Sequence, residues 1–339
     1  MKGNRKIALV TGILGQDGSY AAELLVSRGY EVHGISREKH NKPYANWIEA
    51  NTTLHFGDMT DEAFLDALFA ETTFGEVYNY AAISDLATAK KFPEETWKIN
   101  HNAVGFLFTK ASQKNPKVHL FQASSSQMFD TVFSPQNENT PFLNKNSYAE
   151  AKIAAHKDFV VGFREKGMFA CSGFLFNHES PRREERFVTG KISRTLTRIK
   201  LGIIDTPLEL GNMEMERDWS FAGDFVEGAH SMLQASEPRD YILASGATRT
   251  VRQFVELTAK HLNLSISWQG EGVDETAIDE TGKVIVTVNK DFYAPKEGFT
   301  MVGDISKIKK DLGWEPKVSF DELVKMMAEG ALLELKTTN

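Results

Sequence analysis

The chain has 339 residues, 41% hydrophobic and 25% charged, enough for a sizeable core in one large or two modest domains. Its 39 basic and 46 acidic residues leave a formal net charge of −7, which argues against a nucleic-acid binder but not against a local anion site. One cysteine, Cys171, excludes an internal disulfide; with no leader pattern and no apolar stretch of bilayer length, a cytoplasmic protein without membrane contact is expected.

In chain order, residues 6–10 are a short apolar run that ends at a glycine turn, and 19–28 carry apolar residues at helical spacing (Ala21, Leu24, Leu25). Further strands are predicted at 30–35, 53–56, 76–80 and 118–123, with a helix over 104–112 between the last two. Strands separated by helices predict an α/β chain with a doubly wound parallel Rossmann sheet, covered on both faces. Cys171 lies in the apolar run 169–176 and suits a core position. Beyond about residue 175 the pattern is less regular. Amphipathic helices are predicted at 191–201 and, after a threonine cap, at 250–262; a polar patch (269–283), a strand (284–288) and a last helix (320–333) follow. No clean linker divides the chain. Residues 1–175 are expected to form mainly a dinucleotide-binding domain, and 176–339 a smaller, interleaved substrate lobe with some segments returning to the large domain.

The first strand runs into Thr11-Gly12-Ile13-Leu14-Gly15-Gln16-Asp17-Gly18-Ser19. Glycines between a strand and a helix let the backbone approach a pyrophosphate at the helix N-terminus, although this spacing differs from G-x-G-x-x-G. The second strand ends at Ser36-Arg37-Glu38. An arginine at that tip suits the 2′-phosphate of NADP and an acidic residue the 2′-hydroxyl of NAD, so Arg37 favours NADP while Glu38 keeps NAD open.

Tyr148 and Lys152 stand four apart, on one face of a helix. A lysine beside a tyrosine stabilises the phenolate, which can then exchange a proton with a sugar hydroxyl as hydride moves to or from nicotinamide. A serine from the strand end Ala123-Ser124-Ser125-Ser126 can hydrogen-bond the reacting hydroxyl.

With these features the chain resembles the extended short-chain dehydrogenases/reductases and, within them, the GDP-mannose 4,6-dehydratases. The likeness is carried by residues 11–20 with their Gln-Asp-Gly, by 174–183 (Phe-Leu-Phe-Asn-His-Glu-Ser-Pro-Arg-Arg), by 187–194 and by Arg217-Asp218-Trp219, and it extends past Gly313-Trp314. The resemblance implies catalytic roles for Ser125, Gln127, Tyr148 and Lys152. It implies cofactor contacts at Gly12, Gly15, Gln16, Asp17, Gly18, Arg37, Asp58, Met59, Ala81, Ser84, Tyr148, Lys152, Asn177, His178 and Arg183. Substrate contacts are implied at Ser84, Ser126, Asn177, Lys191, Gly211, Arg217 and Glu297, and no metal. In the family, the Arg182-Arg183 pair also serves subunit contact, so a homo-oligomer, dimer or tetramer, is implied. Read without the family, Asn177 and His178 could be buried structural groups, and Lys191 and Arg194 the solvated face of a helix.

Three positions depart from the family pattern. Gln127 stands where the family has the glutamate that removes the C5 proton and expels the C6 hydroxyl, and an amide cannot carry a proton across that step. Ala294 replaces the arginine of a late Arg-Pro-x-Glu motif whose Pro295 and Glu297 remain, so a diphosphate contact is lost or shifted to Lys296. The loop after Arg37 is short and lacks the family's Arg-Ser-Ser continuation, which weakens both NADP and the tetramer. The leading expectation is a GDP-mannose 4,6-dehydratase-like enzyme. It would oxidise C4 with bound NAD(P), eliminate across C5 and C6 and return hydride to C6, with the elimination put in question by Gln127. A GDP-hexose or heptose C4 dehydrogenase, ketoreductase or epimerase is the alternative, and a non-catalytic nucleotide-sugar sensor a third.

Overall fold

A computed structural model describes residues 6–40, 42–295 and 300–337. β1 (Ile7–Thr11) runs into the glycine turn and α1 (Gln16–Ser27); β2 (Glu31–Ser36), α2 (Pro43–Asn51), β3 (Thr53–Phe56), α3 (Glu62–Glu71) and β4 (Glu76–Asn79) follow in alternation. After α4 (Leu86–Lys91), α5 (Pro93–Trp97) passes through a π turn (Lys98–Asn102) into α6 (Ala103–Lys114), and β5 (His119–Ser125) returns to the sheet. α7 (Ser147–Ala155) likewise passes through a π turn (His156–Val161) into α8 (Gly162–Glu165), which precedes β6 (Phe169–Leu175). The second half holds β7 (Asn177–Glu179), α9 (Val188–Lys200), β8 (Leu208–Leu210), β9 (Glu216–Arg217), β10 (Trp219–Phe221), α10 (Ala222–Leu233) and β11 (Tyr241–Leu243). It ends with β12 (Arg249–Thr250), α11 (Val251–His261), β13 (Ile266–Gln269), β14 (Thr276–Asp279), β15 (Val284–Val288), α12 (Ser306–Leu312) and α13 (Phe320–Thr337).

Seven strands form one all-parallel sheet in the order β3–β2–β1–β4–β5–β6–β11, so a strand from the second half completes its edge. Alternate residues serve opposite faces, as strand geometry requires. Val10, Tyr78, Phe121 and Cys171 pack with α1 and α10, while Leu9, Val77, Leu120 and Ala170 pack with α3 and α6. Both faces being covered, the strands read as near-continuous apolar runs. β1 pairs β2 on one side and β4 on the other, so the connections leave in opposite directions there. That divergence opens a crevice at the strands' carboxyl ends, where such sheets bind ligands.

A smaller unit is built on the sheet β13–β14–β15–β8, under α9, α11 and α13, around Leu196, Leu210, Phe254, Val286 and Met327. The expected threonine cap of α11 is a full capping box: Thr250 accepts from the Gln253 amide, and the Gln253 side chain accepts from the Thr250 amide. The polar patch at 269–283 is only partly irregular, because it contains β14. A register shift between Ala277 and Ile278 breaks the alternation by which a strand is recognised. Among the described residues, no helix is long and apolar enough to cross a membrane.

Candidate active site

Gly12 adopts φ +63°, and a Cβ there would lie 3.1 Å from the Ala81 amide, which itself donates to Thr11 Oγ1 at 3.0 Å. A Cβ at Gly18 would lie 2.2 Å from the Gly12 carbonyl oxygen, so only glycine lets the helix start this close to the turn. Gly15 caps α1 without a side chain, which leaves the first-turn amides for an anion.

The neighbouring Gln16 and Asp17 reach across the molecule. Gln16 donates to the His178 carbonyl at 3.0 Å and accepts from Ser180 Oγ at 2.8 Å, and Asp17 Oδ2 lies 2.9 Å from His178 Nε2. Burial opposes ionisation of Asp17, but the charge and hydrogen bond of His178, with help from Gln16 and Arg183, hold its carboxyl below the usual value. Burial opposes the charge on His178 too, yet Asp17 outweighs it and raises the imidazole. His178 also meets the Phe176 carbonyl through Nδ1 at 2.7 Å and stacks on Phe225. The residue is therefore an ion-paired clasp between β7 and α1, tied to the glycine turn by contacts that sequence order conceals.

Ser125 closes β5, and Tyr148 opens α7 behind the Asn146 cap, whose Oδ1 accepts from the Ala149 amide at 2.8 Å. The Ser125 side chain acts on the Tyr148 hydroxyl to lower its pKa. Lys152 follows one turn later, 3% exposed, and donates to the Ala123 carbonyl at 2.7 Å. Burial lowers the Lys152 pKa to about 8, opposed by the charge of Asp17. Tyr148 does not show the lowering expected from its lysine neighbour. Burial raises it, against the Ser125 hydrogen bond and the Arg183 charge. In this dry junction of strand and helix, desolvation dominates, and the lysine is bonded to a backbone carbonyl.

Ser126 is buried at the start of the short turn after β5, and Gln127 follows, partly exposed. The Gln127 amide N–H donates to Ser125 Oγ at 3.2 Å, while its side-chain Nε2 lies 4.0 Å from Met301 Sδ. No carboxylate occupies this position.

Arg37 lies exposed just past β2 and makes no ion pair among the described residues. Asp58, past β3, accepts from both the amide and the hydroxyl of Thr60 at 2.8 Å, beside the buried Met59. Ser84 is exposed on the loop after β4; next to it Asp85 caps α4 and pairs with Arg186 at 2.9 Å. Arg183 lies over the Phe187 ring at 3.5 Å, its Nε 3.0 Å from Glu179. The other arginine of the pair, Arg182, is used inside the chain. It bonds Ser19 and Glu23 and stacks on Tyr20 at 3.9 Å.

Asn177 begins β7, opposite Trp219 in β10. Lys191 projects from the first turn of α9 over the Phe292 ring at 5.0 Å and pairs with no carboxylate among the described residues. Its neighbour Arg194 is no solvated residue: it holds the Arg183 and Pro181 carbonyls and Glu334. Gly211 follows β8 beside a cavity of about 430 Å³ whose lining includes Asn212, Glu214 and Arg252. Arg217, in β9, donates to the Glu216 carbonyl at 2.7 Å. Ala294 offers its carbonyl to Asn212 at 3.0 Å, while Lys296 and Glu297 lie outside the described residues. Sequence reasoning missed Asp218, which accepts from the amides of Ser245, Gly246 and Gly303 and from the Ser245 hydroxyl. It fixes the segment carrying Met301 to the strand carrying Arg217. The Arg-Asp-Trp triplet was the only available sign of it.

The family model described as GDP-mannose 4,6 dehydratase matches residues 9–327. The chain is 42% identical to the GDP-mannose 4,6 dehydratase of Homo sapiens over 353 residues, covering 99% of this chain and 93% of that protein. It is 38% identical to the GDP-mannose 4,6-dehydratase of Vibrio cholerae, covering 97% and 94%. Among solved structures, a UDP-glucose 4-epimerase from Thermotoga maritima with UDP-glucose superimposes with a TM-score of 0.81 at 21% identity, over 98% of this chain and all of that one. RMD from Pseudomonas aeruginosa, complexed with NADPH, gives 0.79 at 19%, over 97% and 99%. The last two likenesses concern the fold; the sequence matches, which run nearly end to end, place the chain in the GDP-mannose 4,6-dehydratase family.

Proposed function

We propose that this chain is an enzyme of the GDP-mannose 4,6-dehydratase type whose hydride chemistry is intact and whose elimination step is crippled by Gln127. The observation that carries the reading is the Ser125–Tyr148–Lys152 group at the carboxyl end of a parallel sheet, in a chain of this family. The side-chain-free cap at Gly15 and the close approach of Gly12 and Gly18 fit a pyrophosphate, and Arg37 stands free for a 2′-phosphate. Asp58, Met59, Ala81, Ser84, Asn177 and Arg183 would border the same cofactor, and His178, clasped by Gln16 and Asp17, would hold the rim. NADP, once bound, supplies the hydride acceptor at C4 and the donor that returns hydride to C6.

The residues of the chain do the rest. Ser125 hydrogen-bonds the C4 hydroxyl, and Tyr148 takes its proton. Ser125 and the Arg183 charge favour the phenolate against burial, and Lys152, with a pKa of about 8 and held on the Ala123 carbonyl, stands one turn behind it. Lys191 and Arg217 hold the diphosphate, with Asn177, Gly211, Ser84, Ser126 and Glu297 along the nucleotide sugar. Gln127 reaches the place where the C5 proton must leave and the C6 hydroxyl must be protonated, and it can only hydrogen-bond there. Residues 1–175 serve mainly the cofactor and 176–339 mainly the nucleotide sugar. The enzyme works in the cytoplasm as a homo-oligomer.

Gln127 also favours a second reading, a GDP-hexose or heptose C4 dehydrogenase, ketoreductase or epimerase without dehydration. Incubation with GDP-mannose and NADP, followed by cofactor absorbance and product mass, separates the two. The dehydratase reading expects slow water loss, or a stalled site with at most one reduced cofactor per chain; NADPH formed in large excess over the protein, with an unaltered C6 hydroxyl, would establish a C4 dehydrogenase instead.

A further inference from the structure

Gln122 is an amide in the interior of β5, 1% exposed between Phe121 and Ala123. Burying an amide is costly unless its groups are paired, and an apolar residue would fill the same place without that demand. The strand register shows what holds it. Thr11 of β1 stands beside Asn79 of β4, and Asn79 beside Gln122, so the three side chains share one face of the sheet near the strands' carboxyl ends.

They form a row of hydrogen bonds that all point the same way. The Ala81 amide donates to Thr11 Oγ1 at 3.0 Å, Thr11 Oγ1 to Asn79 Oδ1 at 2.6 Å, and Asn79 Nδ2 to Gln122 Oε1 at 2.7 Å. Gln122 Nε2 then donates to the Ala123 carbonyl at 3.0 Å, the same oxygen that takes Lys152 Nζ at 2.7 Å. Groups aligned head to tail polarise one another, the more so in a dry interior. The row therefore begins at the glycine turn and ends on the lysine behind Tyr148.

We propose, on the basis of the hydride chemistry above, that Asn79 and Gln122 are positioning residues for that step: by sharing the Ala123 carbonyl with Lys152 they fix where its ammonium lies behind Tyr148. Two donors on one oxygen each weaken the other's hold. Gln122 thus loosens the carbonyl's grip on the ammonium, in the same direction as the burial that lowers Lys152 to about 8.

The test substitutes Gln122 in the NADP-saturated protein. Gln122→Met removes both side-chain hydrogen bonds at similar volume. It should slow single-turnover reduction of NADP by GDP-mannose by about tenfold or more, with NADP and GDP affinities unchanged. Gln122→Glu keeps the volume and both partners, and decides the matter where the methionine variant does not fold. Protonated, its carboxyl can accept from Asn79 and donate to Ala123, so at about pH 5 its rate should return toward that of the unmodified protein. Ionised, it sets an acceptor against the Ala123 carbonyl and a negative charge beside Lys152. Its rate should then fall behind that of the unmodified protein as pH rises, and the Lys152 Nζ titration, followed by NMR, should move up by about one pH unit. A residue that only filled the sheet would leave the pH profile and the Lys152 titration where they are, and that result would overturn the proposal. So would a rate loss in Gln122→Met matched by an equal loss of NADP affinity. An unmodified protein that reduces no cofactor would overturn the hydride reading alone, because the Lys152 titration still decides whether Gln122 acts on the lysine.

Discussion

At the glycine turn, Gln16 and Asp17 are already bonded to His178 and Ser180, whereas at the nucleotide end Lys191 and Arg217 face no carboxylate among the described residues. The proposed cofactor end satisfies its polar groups with one another. The proposed substrate end holds two cations without a carboxylate partner among the described residues, whose natural complement is an anion such as a diphosphate. Between them lies the Ser125–Tyr148–Lys152 group, dry and hydrogen-bonded like the first region but with a lysine at about 8, poised like the second. The difference teaches where substitutions should register: as chemistry in the middle, as stability at the clasp, and as ligand affinity at the free cations.

The largest effect is expected in the middle. Tyr148→Phe removes the proton acceptor and should slow hydride transfer by a hundredfold or more, roughly the worth of a general base, while NADP binding by titration stays near normal. Full activity in that variant would put the base elsewhere. At the clasp, His178→Gln leaves Asp17 partly buried and unpaired, and should cost about 2 kcal/mol in denaturant unfolding.

The pH dependence of the clasp has a definite sign. Asp17 is depressed, so its contribution is present above its unfolded value near 4 and fades as pH falls; His178 is raised, so its contribution is full below its unfolded value near 6.5 and fades as pH rises through the raised one. The stability gap between the unmodified protein and His178→Gln should therefore be widest between about pH 4 and 6.5. A flat gap across pH would mean that packing on Phe225, not charge, makes the clasp.

Smaller effects belong to the free cations. Lys191→Ala should weaken GDP binding by about tenfold and leave NADP binding unchanged. If NADP suffers equally, the two ends of the cleft are not separate. Arg37→Ala should cost NADP a few-fold, about 1 kcal/mol for an exposed contact, and NAD nothing. Equal losses for the two cofactors would show that Arg37 does not read the 2′-phosphate.

Several of these features could be read from the residues because they are local. The run Ile7–Thr11 is apolar because both of its faces are covered, and the glycines after it are needed for a left-handed φ and a close helix start. Tyr148 and Lys152 announce themselves by helical spacing, and Thr250 by its capping box. The rest depends on chain closure. Asp17 and His178 are 161 positions apart, and Gln127 and Met301 are 174 apart, so neither contact leaves a local trace. The raised tyrosine escaped for a different reason. Spacing predicts the neighbour, but only the fold sets how dry the junction is and that Lys152 bonds Ala123 instead.

The central claim is that a missing proton carrier at position 127, rather than a broken site, limits dehydration. It is tested most directly by comparing the initial rate of water loss from GDP-mannose for the unmodified protein and for Gln127→Glu, each saturated with NADP. Slow or undetectable formation of the 4-keto-6-deoxy sugar is expected from the unmodified protein, and a gain of about a hundredfold or more from the glutamate variant. Rapid dehydration by the unmodified protein, with no gain from Gln127→Glu, would contradict it.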